Sequence, residues 1–327
     1  MSILRIENLA IEFGAREPVR AVDGVSLNVE RGETVAIVGE SGSGKSVTSL
    51  SILRLLPRQA RVMSGEIWLD GEDLAQKSER EMRAIRGDRV SMIFQEPMTS
   101  LNPAHTIGRQ VMEPFRIHAK TPASEARRRA IELLRLVRIS DPEQRLRQYP
   151  HELSGGTRQR VMTAIALARE PELLIADEPT TALDVTTQAQ ILELLRDLRS
   201  QLGMAILLIT HDFGVVAELA ERVVVMYGGR VVERGPVLDI FDRPQHPYTQ
   251  ALLAARPRLG SGAASSARDR LQGIPGVVGA LRAGLVGCRF CERCAFATPR
   301  CRLEPPEMIA VTERHSAACH LLERGLT

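Results

Sequence analysis

Apolar positions follow two periods along the chain. In ILRIENLAIEF (residues 3–13) and VDGVSLNV (22–29) they partly alternate with polar ones, which predicts two strands of an antiparallel edge layer. After the turn Glu30-Arg31-Gly32, ETVAIV (33–38) is an almost unbroken apolar run, the pattern of a strand covered on both faces. SGEIWLD (64–70) with Gly71 reads as a further strand and turn, and RVSMIFQ (89–95) as a core strand. EPMTSLNP, with Pro97 and Pro103, reads as a loop. From Ile107 to about Leu146 the period lengthens to that of a helix, with acidic and basic residues mixed along EARRRAIELLRLVRI; Arg127 to Arg129 fit a solvated face. RQRVMTAIALARE (158–170) is another helix, and LLIADE (173–178) and AILLIT (205–210) return to buried strands. Strands alternating with helices predict an α/β fold built on a parallel sheet.

Past Pro236 the pattern dissolves. FDRPQHPYTQALL, with Pro244 and Pro247, is a turn leading to a short helix, and GSGAASSARD (260–269) has the composition of a linker. No internal repeat is present. The 327 residues suffice for about two domains at roughly 100–200 residues each. Composition, at 44% hydrophobic and 25% charged, is that of a globular protein. A net charge of +3 and 3% aromatic residues, without basic and aromatic residues interleaved, argue against nucleic acid as a partner. No apolar run approaches the roughly 20 residues of a membrane span, and MSILRIENLAIEF lacks the basic flank and apolar core of a signal peptide, so a cytoplasmic location is expected.

The chemistry begins at GESGSGKS (39–46), between the strand ETVAIV and the helix VTSLSILRLL. Gly39, Gly42 and Gly44 let the backbone wrap a phosphate, and the N–H groups and positive dipole end of the following helix attract the anion. Ser41 lies within the same loop. Lys45 is placed to bridge the β- and γ-phosphates, and the Ser46 hydroxyl to ligate Mg²⁺. In LLIADE, Asp177 at the strand end suits Mg²⁺ and Glu178 can polarise an attacking water, although acid pairs at strand ends are often only solvated turns. His211 follows AILLIT at the same carboxyl edge, where open α/β sheets bind ligands. Ser154 before Gly155-Gly156-Thr157 is an N-cap, and the helix start it caps is either structural or a second phosphate site. Phe13 closes the first strand, either as an ordinary core aromatic or as a ring that stacks on a purine.

All five cysteines lie between residues 288 and 319. Such clustering in a cytosolic chain points to a metal or iron–sulfur centre, with reduced buried thiols as the alternative. By spacing, Cys288, Cys291 and Cys294 form C-x₂-C-x₂-C, the start of a ferredoxin-type run.

With GESGSGKS, Gln95, LSGGT (153–157), LLIADE, TALD (181–184) and His211 in this order, the first 235 or so residues resemble the ATP-binding subunit of ABC transporters. HPYT (246–249) and the cysteine-bearing tail resemble the C-terminal extension of the dipeptide and oligopeptide permease subfamily of bacterial importers. The resemblance implies a P-loop core over residues 1–235, a parallel sheet with an antiparallel β layer and a helical insertion at about 97–165. A small cysteine-containing extension at 236–327 would follow. It also implies a head-to-tail dimer with ATP sandwiched between one subunit's phosphate loop and the other's signature helix. Lys45, Ser46, Gln95, Asp177, Glu178 and His211 would then act on the chain's own nucleotide, with Mg²⁺ at Ser46, Gln95 and Asp177. Glu178 would be the base and His211 the γ-phosphate sensor, while Ser154, Gly155 and Gly156 would serve the partner's ATP. Asp184 would join the two sites, and Phe13 would stack on adenine. The signature departs from the family pattern at Thr157, where Gln is usual.

For the tail the resemblance implies Cys288, Cys294, Cys301 and Cys319 as ligands of a [4Fe–4S] cluster, with Zn²⁺ as the alternative. Expected partners are a second, related ATPase chain in a heterodimer, two membrane permease subunits and, indirectly, an extracytoplasmic peptide-binding protein. The location implied is peripheral, on the cytoplasmic face of the inner membrane. Cargo would be dipeptides or oligopeptides, with nickel or glutathione as alternatives. A soluble ABC-type ATPase uncoupled from transport is the competing reading.

Overall fold

The computed structural model describes residues 2–14, 18–95, 100–181, 183–255, 274, 276 and 286–324. Four strands make an antiparallel layer in the order β2-β1-β4-β5: β1 (Ser2–Phe13), β2 (Val19–Glu30), β4 (Ala60–Leu69) and β5 (Glu72–Asp73). Between β2 and β4 the chain drops into the main sheet as β3 (Thr34–Val38) and leaves through α1 (Lys45–Ile52). After α2 (Glu79–Ile85) come β6 (Val90–Ile93) and a helical excursion. That excursion comprises α3 (Ile107–His118), α4 (Ala123–Leu136), α5 (Pro142–Arg145) and α6 (Gly155–Leu167). The chain then returns through β7 (Leu173–Asp177), α7 (Val185–Leu202), β8 (Ala205–Thr210) and α8 (Phe213–Leu219).

The main sheet has eight strands in the order β11-β12-β10-β9-β3-β8-β7-β6, parallel from β9 through β6. Its central strands explain their own composition. Because side chains alternate across a strand, Ala36, Leu174, Ala176, Ile206, Leu208, Val223 and Val225 face one core with the helices. Val35, Ile37, Leu173, Ile175, Leu207, Ile209 and Val224 face a second core, against the antiparallel layer. Both faces are covered, so LLIAD and AILLIT carry no polar position before their carboxyl ends.

Two strands escape the reading of hydrophobic runs. β9 (Arg222–Tyr227) and β10 (Arg230–Pro236) form an antiparallel hairpin across Gly228-Gly229, both at positive φ (56° and 79°). A Gly-Gly pair between apolar runs is a recognised hairpin signal. Similarly, β6 ends at Ile93, so Gln95 stands beyond the strand and not in it.

β10 carries the chain across residue 235 into the C-terminal region, which contains α9 (Val237–Asp242), α10 (Pro247–Ala254) and α11 (Pro299–Leu303). The short strands β11 (Ile309–Ala310) and β12 (Ser316–Ala317) then return to the main sheet, where Glu233 pairs with Ala317 and Arg234 with Ser316. The region is therefore hydrogen-bonded into the same sheet as the phosphate loop. Buried side chains reinforce the join: Glu233, 0% exposed, accepts from His315 Nε2 at 2.8 Å and from the backbone N–H groups of Gln245 and His246. Tyr227 packs edge to face on Tyr248 and Phe290, and Tyr248 is tilted against Phe290, with centroids 4.6–5.3 Å apart. Residues 97–99 and the expected linker at 260–269 lie outside the described residues.

Candidate active site

The carboxyl ends of β3, β6, β7 and β8 lie along one edge of the sheet, and each delivers one part of the site. From β3 the loop Gly39–Gly44 turns into α1. Gly44 has φ 98°, and a Cβ there would meet the Ala21 carbonyl at 2.5 Å; at Gly39 one would meet the Met226 carbonyl at 2.2 Å. Only glycine lets the loop run this close to its neighbours. Lys45 is buried, and its ammonium donates to the carbonyls of Gly39 (2.7 Å) and Glu40 (2.9 Å). Burial pushes its pKa down against the pull of Glu178, Asp177 and Glu40. A desolvated cation in this position gains most from an incoming phosphate charge.

Ser46 donates to Asp177 Oδ1 at 3.3 Å, which joins the two expected Mg²⁺ ligands across β3 and β7. Asp177 is 4% exposed, and burial, reinforced by Glu178, raises its pKa despite the Ser46 bond and the Lys45 charge. A divalent cation there would supply the missing counter-charge.

Glu178 is the most constrained group in the site. Its Oε2 accepts from Gln95 Nε2 (3.0 Å) and Thr181 Oγ1 (2.8 Å), and its Oε1 lies 3.1 Å from His211 Nδ1. Burial alone would raise the carboxyl, but the bonds from His211 and Thr181 and the His211 and Lys45 charges outweigh it and hold the pKa below the ordinary value. The carboxylate is thus ionised and aimed. Its backbone sits at φ 47°, a left-handed conformation uncommon for a residue with a side chain, and its N–H is fixed on the Ile209 carbonyl at 2.8 Å. An open cavity over the loop is walled by Ser41, Gln95, Glu178 and His211, and also by Leu252 and Gly276 from the C-terminal region.

Three sets of expected residues stand elsewhere. Ser154 caps α6, its Oγ accepting from Thr157 N at 3.3 Å and lying 2.9 Å from Thr157 Oγ1, so Thr157 reinforces the cap where the family pattern has Gln. Ser154, Gly155 and Gly156 are not walls of the cavity over this chain's own phosphate loop. Asp184 caps α7 through Thr187, which donates from its N–H (2.9 Å) and its hydroxyl (2.7 Å). Phe13 is half-buried at the end of β1 and packs against the second core, outside that cavity.

The cysteines give a mixed answer. Burial pushes Cys288 up to about 12, and the charges of Cys301, Cys319 and Cys294 add to the shift. Burial raises Cys319 as well, with the charges of Cys294 and Cys301 adding to the shift, and Cys291 is buried. Yet, among the described residues, no group of three or more His, Cys, Asp or Glu side chains is placed to hold a metal ion. The expected ligand set Cys288, Cys294, Cys301 and Cys319 is therefore not seen gathered around a metal position among the described residues.

What the sequence did not expose is the set of contacts from the C-terminal region to the site. Arg293 pairs with Glu40 of the phosphate loop, Tyr248 accepts the Glu40 N–H, and Arg289 pairs with Asp23. HPYT marked the place of Tyr248, but nothing in it indicates a partner some 200 residues away.

Residues 22–181 match the ABC transporter family, and residues 232–301 match the oligopeptide/dipeptide transporter C-terminal region. A probable peptide ABC transporter ATP-binding protein of Sinorhizobium fredii is 56% identical, covering 97% of this chain and 94% of that protein. The dipeptide transport ATP-binding protein DppD of Escherichia coli and the oligopeptide transport ATP-binding protein AppD of Bacillus subtilis are each 50% identical, covering 98% of this chain and 97% of theirs. Among solved structures, the dimeric bacterial ABC transporter cassette MJ0796 is similar with a TM-score of 0.65 and 31% identity, covering 72% of this chain and 98% of that one. Likeness of this degree along nearly the whole length accords with the constrained Glu178, the phosphate loop and the capped signature helix, and the chain belongs to the ABC transporter family as an ATP-binding subunit, an ATPase with the oligopeptide/dipeptide-type C-terminal region.

Proposed function

We propose that this ATPase powers uptake of dipeptides or oligopeptides through a membrane importer. The observation that carries the reading is the union in one sheet of the phosphate loop and its carboxylates with the C-terminal region that matches oligopeptide/dipeptide transporters. The names of the relatives point to the same cargo class. The chain works as half of a head-to-tail dimer, its Ser154, Gly155 and Gly156 facing the ATP of a second, related ATPase subunit. The standing of these residues outside the chain's own nucleotide cavity supports this. Two permease subunits dock against it at the cytoplasmic face of the membrane, and a binding protein on the far side delivers cargo. Among the described residues no helix is long and apolar enough to cross a membrane. An apolar groove lined by Leu55, Phe94, Leu101, Ile117 and Met162, with Phe94 41% and Ile117 64% exposed, supports docking of a permease helix. Co-purification with two permeases and a second ATPase, followed by ATP-dependent uptake of a labelled dipeptide into proteoliposomes, tests the reading. Uptake that persists with Glu178→Gln in both ATPase chains, or a complex that transports only nickel or glutathione, would overturn it.

In the same reading Cys288, Cys294, Cys301 and Cys319 hold a [4Fe–4S] cluster; the bond from the Cys288 N–H to the Cys301 carbonyl at 2.7 Å, which brings two of the segments together, supports this. Anaerobically purified protein should be brown, Cys291→Ser should keep its iron, and Cys319→Ser should lose it. A colourless protein holding one zinc would replace iron by Zn²⁺, and the opposite cysteine pattern would refute the ligand set.

A further inference from the structure

Glu40, the second residue of the phosphate loop, is gripped at three groups. Its backbone N–H donates to the Tyr248 hydroxyl at 2.8 Å. Its carboxylate takes a forked pair of bonds from Arg293, at 2.6 and 3.0 Å. Its carbonyl accepts from Lys45 at 2.9 Å. Two of the three grips come from the C-terminal region, and both are buried: Tyr248 is 0% exposed and the Arg293 side chain 7%. Neither is a loose surface side chain. The Arg293 guanidinium also reaches the Ile274 carbonyl and the Tyr227 hydroxyl, each at 3.3 Å, and lies over the Tyr227 ring. Tyr248 is set by the rings of Tyr227 and Phe290 and by α10, whose first turn is capped by His246.

A loop with glycines at three of its six positions before Lys45 has much conformational freedom to lose when it closes on an anion. Fixing one of its residues beforehand removes part of that cost from the binding step. The hydrolytic groups are held differently: Gln95, Thr181 and His211 fix Glu178 with no bond to Tyr248 or Arg293.

We propose that Tyr248 and Arg293 are positioning residues that preorganise the phosphate loop through Glu40, so that the C-terminal region sets affinity for ATP rather than the rate of hydrolysis. This rests on the nucleotide site and not on the cargo. MgATP affinity of the full-length chain and steady-state ATPase of the assembled transporter test it, using Tyr248→Phe, Arg293→Met and Arg293→Lys. Tyr248→Phe deletes one oxygen and keeps the ring, so it remains a test even if Arg293→Met fails to fold. Loss of one buried hydrogen bond should raise Kd and KM for ATP about 3- to 10-fold. Arg293→Met, which loses a charge-assisted fork, should raise both roughly 10-fold or more, with Arg293→Lys between it and wild type. In every variant kcat should stay within about twofold of wild type. Unchanged Kd and KM in both Tyr248→Phe and Arg293→Met would overturn the proposal, as would a fall in kcat at constant KM. Wild-type chain that fails to bind MgATP would instead refute the nucleotide site itself.

Discussion

At the scale of single residues, the site turns on a carboxylate whose three donors leave it little freedom. Glu178→Gln keeps the shape and the phosphate loop, so MgATP binding should survive while turnover falls roughly 10²- to 10⁴-fold, the usual worth of a positioned base. Single-turnover hydrolysis by the assembled transporter measures this, and near-normal turnover would remove Glu178 from that role. Lys45→Ala should fail earlier, at binding. It deletes a buried ammonium held 2.7 and 2.9 Å from the loop carbonyls, and nucleotide titration should show affinity reduced by at least an order of magnitude. Tight binding by that variant would contradict the phosphate-loop assignment. These residues were legible because their chemistry is local: GESGSGKS and LLIADE carry loop, cation and carboxylates within a few positions. Thr181 as a partner of Glu178 was within reach too, three residues on. The grip on Glu40 was not, because neither RFCERC nor HPYT has any local feature that names a partner in a loop far back in the chain.

At the scale of elements, the same contrast separates strands from their connections. β3, β7 and β8 were readable because cover on both faces forces continuous apolar runs; β9 carries the same kind of run, VVVMY, and the two glycines after it mark the turn into β10. Helix α10 carries a pH dependence that follows from its cap. His246 is buried and accepts the Tyr248 N–H on Nδ1 at 3.0 Å, and burial lowers its pKa to about 3. In the unfolded chain it titrates near 6.5. The unfolded state therefore binds the extra proton between these values. The stability that neutral His246 contributes is complete above about pH 6.5 and is lost as the pH falls towards 3, by roughly 1 kcal/mol per pH unit. Urea midpoints at pH 7 and pH 5 should differ accordingly in wild type, and the difference should shrink in His246→Asn, which keeps an oxygen acceptor but cannot titrate. Equal acid sensitivity in the two proteins would show that His246 is not its source.

At the scale of the whole molecule, the composition shift at Pro236 marks where the C-terminal region begins, and Glu233 and β12 tie that region into the main sheet. His315→Ala leaves a buried carboxylate short of one partner, a loss of about 1–3 kcal/mol. Because Glu233 stands on β10, calorimetry should show one transition displaced downward; a second, earlier peak with the main one unmoved would mean that the region melts by itself. The pairing of β12 with β10 also has a consequence in time. Until Ser316 and Ala317 emerge, β10 is the outermost strand of the sheet, with its backbone groups open to any other chain. At roughly 5–20 residues per second, the interval between making Pro236 and making Ser316 is on the order of 4–16 s. For those seconds the stretch of β10 at Glu233 and Arg234 lacks the strand partner that Ser316 and Ala317 later supply.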